Sequence, residues 1–387
     1  MMFEETGTKY EGFLQDESRL RGSAAGIAFP QDTAELAAAL DFAKEQGARV
    51  TLQGARTGFF GAAVPNGGLV VNFSRMDRLL ALRERDGAFF LTVQAGAALE
   101  AVETFCARPM AGADWDAQSW AALAALKKAG RQFFPPNPTE SSATLGGAFA
   151  ANAAGLNALR CGKLGAHIAA LEYISLDAAE HHVTREENRE NIAVLAGDNG
   201  QNLAVSSLML CLQPRPAEAW GVFFFFETDA DAMDFAEKLY NWYCTEDPQT
   251  LCAAEYYDAV ALMLLQQDTR RDLPALPMAQ AALYTELSGS DAAALEEQLL
   301  QLLTWFADCG GKEDGSWAAG SYAELEKYRR LRHRLPELLL AQPGGKIREI
   351  TGKPKNFRAD CAALHNDSAA VVFGAALEYR LFVFEKS

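Results

Sequence analysis

The chain has no Cys-x-x-Cys pair, and no two of its five histidines sit at the helical spacing of a metal site. That argues against an iron–sulfur or zinc centre built from this chain alone. Its seven cysteines are an odd number. With an acidic start, Met1-Met2-Phe3-Glu4-Glu5, that does not read as a signal peptide, they fit reduced, buried thiols and a cytoplasmic location. Positive charge is scarce. The 35 Lys and Arg against 51 Asp and Glu leave a net charge of −16. Such a surface repels nucleic acid and anionic lipid, so neither is an expected partner. An anionic small-molecule substrate has to meet a local Arg or Lys cluster against that field. Long apolar runs are missing too. The most apolar short stretch, Val222–Phe226, is far too short for a bilayer and reads as a buried strand, so no membrane insertion is expected. No internal repeat at solenoid periods is visible. His181-His182 reads as a solvated turn.

What is present is apolar bulk and a mixed rhythm. Hydrophobic residues make up 49% of 387, enough for a large core and one to three domains. Ser23–Phe29, Arg49–Leu52, Leu69–Asn72, Phe89–Gln94, Leu171–Leu176 and Ala204–Leu212 read as strands. Thr33–Gln46, Ala98–Ala107 and Gly112–Leu126 read as helices, with Thr33 as an N-cap and Gly47 as a stop. Pro214-Arg215-Pro216 marks a boundary. Beyond it, strands at Gly221–Glu227, Cys252–Tyr257 and Ala281–Ser288 alternate with helices at Asp229–Tyr243, Ala259–Gln267 and Asp291–Cys309. That pattern predicts an α+β layer, a sheet with helices on one face. Ala323–Leu340 reads as a helix, and Val371–Phe373 and Tyr379–Phe384 as late strands.

Two segments are rich in glycine. Gln53-Gly54-Ala55-Arg56-Thr57-Gly58, with Gly61, Ala62 and Pro65 following, leaves a strand with few side chains in the way. Its backbone N–H groups can turn toward a pyrophosphate, although a structural turn explains the composition equally well. It has neither Rossmann nor P-loop spacing. The second segment runs from Pro135-Pro136-Asn137-Pro138 through Thr144-Leu145-Gly146-Gly147, Asn152 and Gly155 to Arg160-Cys161-Gly162. Prolines fix an extended entry, and small residues permit close backbone approach. A tightly packed alanine-rich helix is the alternative.

In order and spacing, these blocks resemble the FAD-linked oxidase family of the vanillyl-alcohol oxidase type. Its members include glycolate oxidase subunits, D-lactate dehydrogenases and D-2-hydroxyglutarate dehydrogenases. Gln53–Pro65 is similar to the family's pyrophosphate loop, and Phe73-Ser74-Arg75-Met76-Asp77-Arg78 to the strand exit that follows it. Val93–Ala97 is similar to the next turn. Thr144–Gly147 through Leu156, with Leu159–Gly162, is similar to the isoalloxazine-side segment, and Leu195–Gly200 to the last FAD segment. The match covers about residues 15–216. The resemblance implies α+β architecture: a two-subdomain FAD-binding domain over 1–213 and an α+β, ferredoxin-like cap domain over 214–387, C-terminally shortened. It implies FAD on Gln53, Gly54, Ala55, Arg56, Thr57, Gly58, Gly61 and Ala62, with Pro136, Asn137 and Thr144 beside them. Gly146, Gly147, Asn152, Gly155 and Gly162 would line the flavin, and Gly197, Gly200 and Val205 the adenine or the ring. Relatives with covalent flavin carry a His in the first loop; none occurs in Gln53–Pro65, so the expected FAD is noncovalent. Ala62, Ala148 and Ala154 depart from the family pattern, as do Asp198-Asn199 and Gln201-Asn202-Leu203.

The second half resembles the family more faintly. Leu331-Arg332-His333-Arg334-Leu335-Pro336-Glu337 is similar to a helix that offers an Arg to a substrate carboxylate, with Arg332 first and Arg334 second. A guanidinium fork suits that role; a solvated basic face is the alternative. The family's metal-binding histidines would fall after Val371-Val372-Phe373-Gly374, where this chain has Ala375, Arg380 and Phe382. The metal site is therefore expected to be missing. Glu378, Tyr379 and Arg380 serve either other chemistry or ordinary strand packing. The resemblance thus implies an FAD-dependent oxidoreductase for a small anionic substrate, perhaps a 2-hydroxy acid, handing electrons to a protein partner. The alternative is a degenerate or non-catalytic FAD-binding subunit of a larger complex.

Overall fold

The computed structural model describes residues 3–386 except 137–139, 176–177, 188, 247, 269–274, 313–314, 343–344, 352–355, 366–370 and 378–379. Contacts divide the chain into two compact units. One is Met1–Gly155 with Cys161–Arg215, the other Leu156–Arg160 with Pro216–Ser387.

The first unit holds two sheets. In the smaller, β1 (Glu4–Glu5), β2 (Gly26–Ala28), β3 (Val50–Gln53) and β4 (Leu69–Asn72) lie in the order β1-β2-β4-β3, with β2, β4 and β3 parallel. Helix α1 (Thr33–Glu45) connects β2 to β3. It buries Leu36, Ala39, Leu40 and Ala43, the one-face spacing visible in the sequence. Its N-cap is Asp32 rather than Thr33: the Asp32 carboxylate accepts the Glu35 N–H at 2.9 Å. A carboxylate there also favours the positive end of the helix. Gly47, at φ +58°, ends the helix as expected.

The larger sheet is built on the twelve-residue strand β10 (Leu203–Pro214). It runs β5 (Leu79–Arg85), β6 (Ala88–Gln94), β10, β8 (Ile168–Ser175), β9 (Glu180–Thr184), with the short β7 (Gln132–Phe133) also on β10. Strands β5 and β9 were not expected. Both alternate weakly and carry charge, because each pairs on one side only. His181 and His182 therefore lie on an exposed edge strand, not in a turn, with His181 stacked 4.8 Å from the Tyr173 ring. Helices α2 (Leu99–Ala107), α3 (Ala117–Leu126), α4 (Leu145–Ala150), α5 (Ala158–Cys161) and α6 (Arg189–Leu195) complete the sequence up to β10. Helix α3 begins at Ala117, not Gly112, because Asp116 caps it through the Ser119 N–H at 2.8 Å.

In the second unit β11 (Glu218–Phe226), α7 (Asp229–Glu246), β12 (Leu251–Asp258), α8 (Ala259–Gln267), β13 (Ala281–Gly289), α9 (Ala292–Asp308) and β14 (Ser316–Ala319) follow one another. Their strands lie in the order β14-β11-β13-β12, all antiparallel. That is the β-α-β-β-α-β plait of ferredoxin-like folds, with α8 inserted. The sheet continues through β16 (Val371–Ala375) and β17 (Arg380–Lys386) to β15 (Gly345–Thr351). Helices α10 (Tyr322–Leu340) and α11 (Phe357–His365) fall between these strands. Helices cover both faces, not one. Phe224 meets Phe235 of α7 and Phe306 of α9 at 4.8 and 5.1 Å. Its neighbour Phe223 points the other way, 4.6 Å from Tyr284 and 5.4 Å from Tyr328 of α10. The unbroken Val222–Phe226 run is the cause: a strand apolar at successive positions has to be covered twice.

The short stretch Leu156–Arg160 belongs to this unit although the sequence places it inside the first. Leu159 packs on the second unit's core, and Arg160 Nη1 donates to the Ser288 carbonyl at 3.1 Å and to Ser288 Oγ at 2.7 Å.

Candidate cofactor site

Strand β3 ends at Gln53, a fully buried amide at the root of the first glycine-rich loop. Its Nε2 donates to the Phe13 and Ala63 carbonyls, each at 2.7 Å. One side chain thereby ties both ends of the loop to the N-terminal segment. Asn72 on β4 donates to the Gly54 carbonyl at 3.3 Å, and the Ala63 N–H donates to Asp16 at 3.4 Å. Between these anchors the backbone is left unpaired: among the described residues, no N–H of Ala55 through Ala62 donates to a protein acceptor. Such a run of free donors is uncommon in a folded chain and suits an anion. Gly58 faces open space, with nothing within 4 Å of where a Cβ would stand.

The second segment is brought against this loop by glycines that leave no room for a side chain. A Cβ on Gly54 would stand 2.0 Å from Thr144 Oγ1, and one on Gly146 would stand 2.7 Å from the Ala95 methyl. Thr144 caps α4 through the Gly147 N–H at 3.3 Å. The Gly146 N–H donates to the Ala95 carbonyl at 2.7 Å, and Leu145 to Ala97 at 2.8 Å. The third segment folds back onto α4: Gly197 N–H donates to Phe149 at 3.1 Å and Asn199 N–H to Ala150 at 2.8 Å. Asn199 and Gly200 take the left-handed conformation at φ +54° and +69°.

The three segments enclose a cleft of about 280 Å³ within the first unit. Gln53, Gly54, Ala55, Arg56, Thr57, Gly58, Ala62, Thr144, Gly146, Gly147, Gly200 and Val205 all line it. Gly61, Pro136, Asn152, Gly155, Gly162 and Gly197 do not; Asn137 is outside the described residues. Asn152 instead holds a turn. Its backbone is left-handed at φ +42°, and its Oδ1 accepts the Gly165 N–H at 3.1 Å. Gly61 and Gly162 serve turns at φ +76° and +80°. Phe59, Ala63, Phe73, Ala95, Ala148, Ala150, Ala151, Ala153, Asn199 and Leu203 also line the cleft, inside the segments that carry the resemblance but not singled out as cofactor residues, and Leu52, Glu140 and Ala143 line it from just outside them. The alanine-rich stretch after Ala143 was the available signal, since small side chains on a short helix let its backbone form a wall. Among the lining residues Arg56 is the one cation and Glu140 the one acid. The Glu140 carboxylate accepts the Ser142 N–H at 3.0 Å.

The match to known proteins follows this geometry. A family model described as an FAD binding domain matches residues 24–126, which carry the first loop. Mitochondrial D-2-hydroxyglutarate dehydrogenase from Danio rerio is 25% identical over 330 residues, covering 83% of this chain and 56% of that protein. D-lactate dehydrogenase from Anaerostipes hadrus is 26% identical over 216 residues, covering 53% and 40%. Alkyldihydroxyacetonephosphate synthase shares the fold, with a TM-score of 0.66 at 14% identity over 95% of this chain and 72% of that one. The chain is similar to FAD-linked oxidases of the vanillyl-alcohol oxidase type, and its first loop lies in an FAD binding domain. It spans about half the length of the curated relatives it matches. FAD is the cofactor of this family's fold. The residues here fit it, since the free N–H run of Ala55–Ala62 and the open face at Gly58 are donors and space that a dinucleotide's pyrophosphate can use. No helix among the described residues is long and apolar enough to cross a membrane.

In this chain the two arginines expected to meet a substrate carboxylate already have carboxylate partners. Arg332 Nε lies 3.3 Å from Glu255 on β12; Glu255 is buried and Arg332 is half-buried. Arg334 Nε lies 2.7 Å from Asp268, and its Nη1 meets Glu337. The neighbouring Arg329 holds Glu286 through two nitrogens at 2.8 and 2.7 Å. Burial works against the Arg329 charge, but the Glu286 carboxylate outweighs it and holds its pKa above the usual guanidinium value. The helix is therefore not a solvated basic face: Arg329 and Arg332 pair with Glu286 and Glu255 on the sheet, and Arg334 with Asp268 at the end of α8. Three donors remain over. Arg332 Nη1, Arg334 Nη2 and the Tyr257 hydroxyl are buried without a partner among the described residues. Of the late-strand candidates, Glu378 and Tyr379 lie outside the described residues, and Arg380 is described by its backbone alone.

Proposed function

We propose that the chain is an FAD-dependent oxidoreductase with noncovalent flavin, acting on a small anionic substrate of the 2-hydroxy-acid type and passing electrons to a protein partner. In this reading residues 1–213 are the FAD-binding domain and residues 214–387 the cap that meets substrate. The supporting observation is the cleft itself: two glycine-rich segments facing one another, with a run of unpartnered N–H groups along one wall. Gly54–Gly58 would hold the pyrophosphate. Gly146 and Gly147 would let the α4 backbone approach the flavin, and Gly200 and Val205 would close the far side. Among the described residues neither His nor Cys lines the cleft, which supports noncovalent attachment. When bound, FAD supplies an acceptor for the two electrons of an alcohol oxidation. Arg332 would orient a substrate carboxylate through its fork, in competition with Glu255.

A second reading has a specific observation in its favour. Glu255 and Asp268 already occupy Arg332 and Arg334, as in a chain that binds flavin but leaves substrate chemistry to another subunit. One sequence of measurements separates the two. The visible spectrum of the purified protein after FAD incubation should show flavin bands, and denaturation followed by filtration should release the colour. Anaerobic addition of a panel of D- and L-2-hydroxy acids should then bleach it. Absent bands would sink flavin binding, retained colour would sink noncovalent attachment, and a flavin that no acid reduces would favour the non-catalytic subunit.

A further inference from the structure

Arg56 is an unusual residue for the middle of a phosphate loop. Its backbone is left-handed, at φ +63°, a conformation that suits glycine or asparagine and strains a long side chain. Its guanidinium is half-buried and lies 4.3 Å over the Phe13 ring. No hydrogen bond or ion pair of its side chain occupies those donors among the described residues. Asp16 and Glu17 act on it only from a distance, while burial draws its pKa down. The N-terminal segment holds this arrangement from three directions: the Glu17 N–H donates to the Arg56 carbonyl at 3.2 Å, Gln53 reaches Phe13, and Asp16 takes Ala63. Five donors of a planar, always-charged group thus stand at the cleft beside a run of free N–H groups, in a chain of net charge −16.

We infer that Arg56 is a specificity-determining ligand for the cofactor's diphosphate, set over the loop by Phe13, so that the cleft selects a dinucleotide flavin over an unphosphorylated one. The inference rests on the FAD reading of the cleft and adds the residue that reads the charge. Main-chain donors alone serve any oxygen acceptor. A guanidinium with no carboxylate partner among the described residues offers its donors to an arriving anion, and a diphosphate brings two charges to it. The left-handed backbone is then the strain the free loop carries in return for that placement.

The test titrates the flavin-free full chain with FAD, ADP and riboflavin, following protein fluorescence, in the wild type, Arg56→Gly and Arg56→Lys. Glycine suits φ +63°, so Arg56→Gly should melt at or above the wild-type temperature without ligand, which separates binding from folding. Affinity for FAD and for ADP should fall about 10- to 100-fold in Arg56→Gly, the range for losing charge-assisted hydrogen bonds, and less in Arg56→Lys. Riboflavin affinity should not change, and the wild-type affinity for ADP should weaken more steeply with salt than that of the glycine variant. Equal FAD and ADP affinities in wild type and Arg56→Gly would overturn the inference while leaving FAD binding intact. An equal loss for riboflavin would reduce Arg56 to a packing role. A wild-type chain that binds neither FAD nor ADP would overturn both readings together.

Discussion

Glu255→Ala tests whether the arginine helix is a structural array or a substrate site. The carboxylate lies 3.3 Å from Arg332 Nε, with 7% and 11% of the two side chains exposed. Coulomb attraction at that distance is about 5 kcal/mol at an effective dielectric of about 20, much of it cancelled by desolvation. Removal is not the reverse of formation, because it strands a buried guanidinium whose Nη1 already lacks a partner. Breaking one side of such a pair costs about 3–5 kcal/mol. The single contact places Glu255→Ala near the lower end, about 3 kcal/mol in urea unfolding of the second unit. The functional question is answered by adding a small carboxylate to the same samples. If Arg332 is a substrate ligand, D-lactate or acetate should stabilise Glu255→Ala with the logarithmic concentration dependence of linked binding, and the wild type much less. A loss under about 0.5 kcal/mol would refute the buried-pair argument, since that is the range of ordinary surface changes. A full loss that no carboxylate relieves would leave Arg332 a structural residue.

Other perturbations read other parts of the molecule. Glu286→Ala should cost more than Glu255→Ala, about 5 kcal/mol, because it strands the Arg329 fork and the Tyr284 hydroxyl together; an equal or smaller loss in urea unfolding contradicts that ranking. Gly54→Ala should abolish FAD binding, since its methyl would stand 2.0 Å from Thr144 Oγ1. The double variant with Thr144→Ala should regain part of it in the same titration, whereas no recovery would mean that the clash is not the cause. Asp258 is driven up to about 6 by burial, against the hydrogen bonds it accepts from Ala261 and Val372. A raised folded-state value makes its contribution largest below the unfolded value of 3.8 and lost as pH rises through about 6. The difference in unfolding free energy between wild type and Asp258→Asn should therefore shift against the wild type by about 2 kcal/mol between pH 4 and 7, and a pH-independent difference would refute the burial argument.

Much of the architecture was legible because it follows from short-range pattern. Leu36, Ala39, Leu40 and Ala43 can form a one-faced helix and little else, and Val222–Phe226 can only be a buried strand. Which face α10 would cover was not legible. The acids that neutralise its arginines come from 43 and 66 residues away, on a strand and beyond the end of a helix, where nothing local marks them as partners. The same limit applies to glycine in the cleft. Gly54 and Gly146 are required by the chain itself, because Thr144 and Ala95 press against them. Among the described residues nothing lies within 4 Å of a Cβ at Gly58, which faces open space. In the sequence all three look alike, as a residue without a side chain. Only the packing separates glycines that bring two segments together from one that leaves space for a cofactor. On the proposed FAD reading, the free N–H run beside Gly58 and the strained Arg56 are the features that the chain's own packing does not account for, so cofactor-site variants should begin there and not at the residues that merely close the fold.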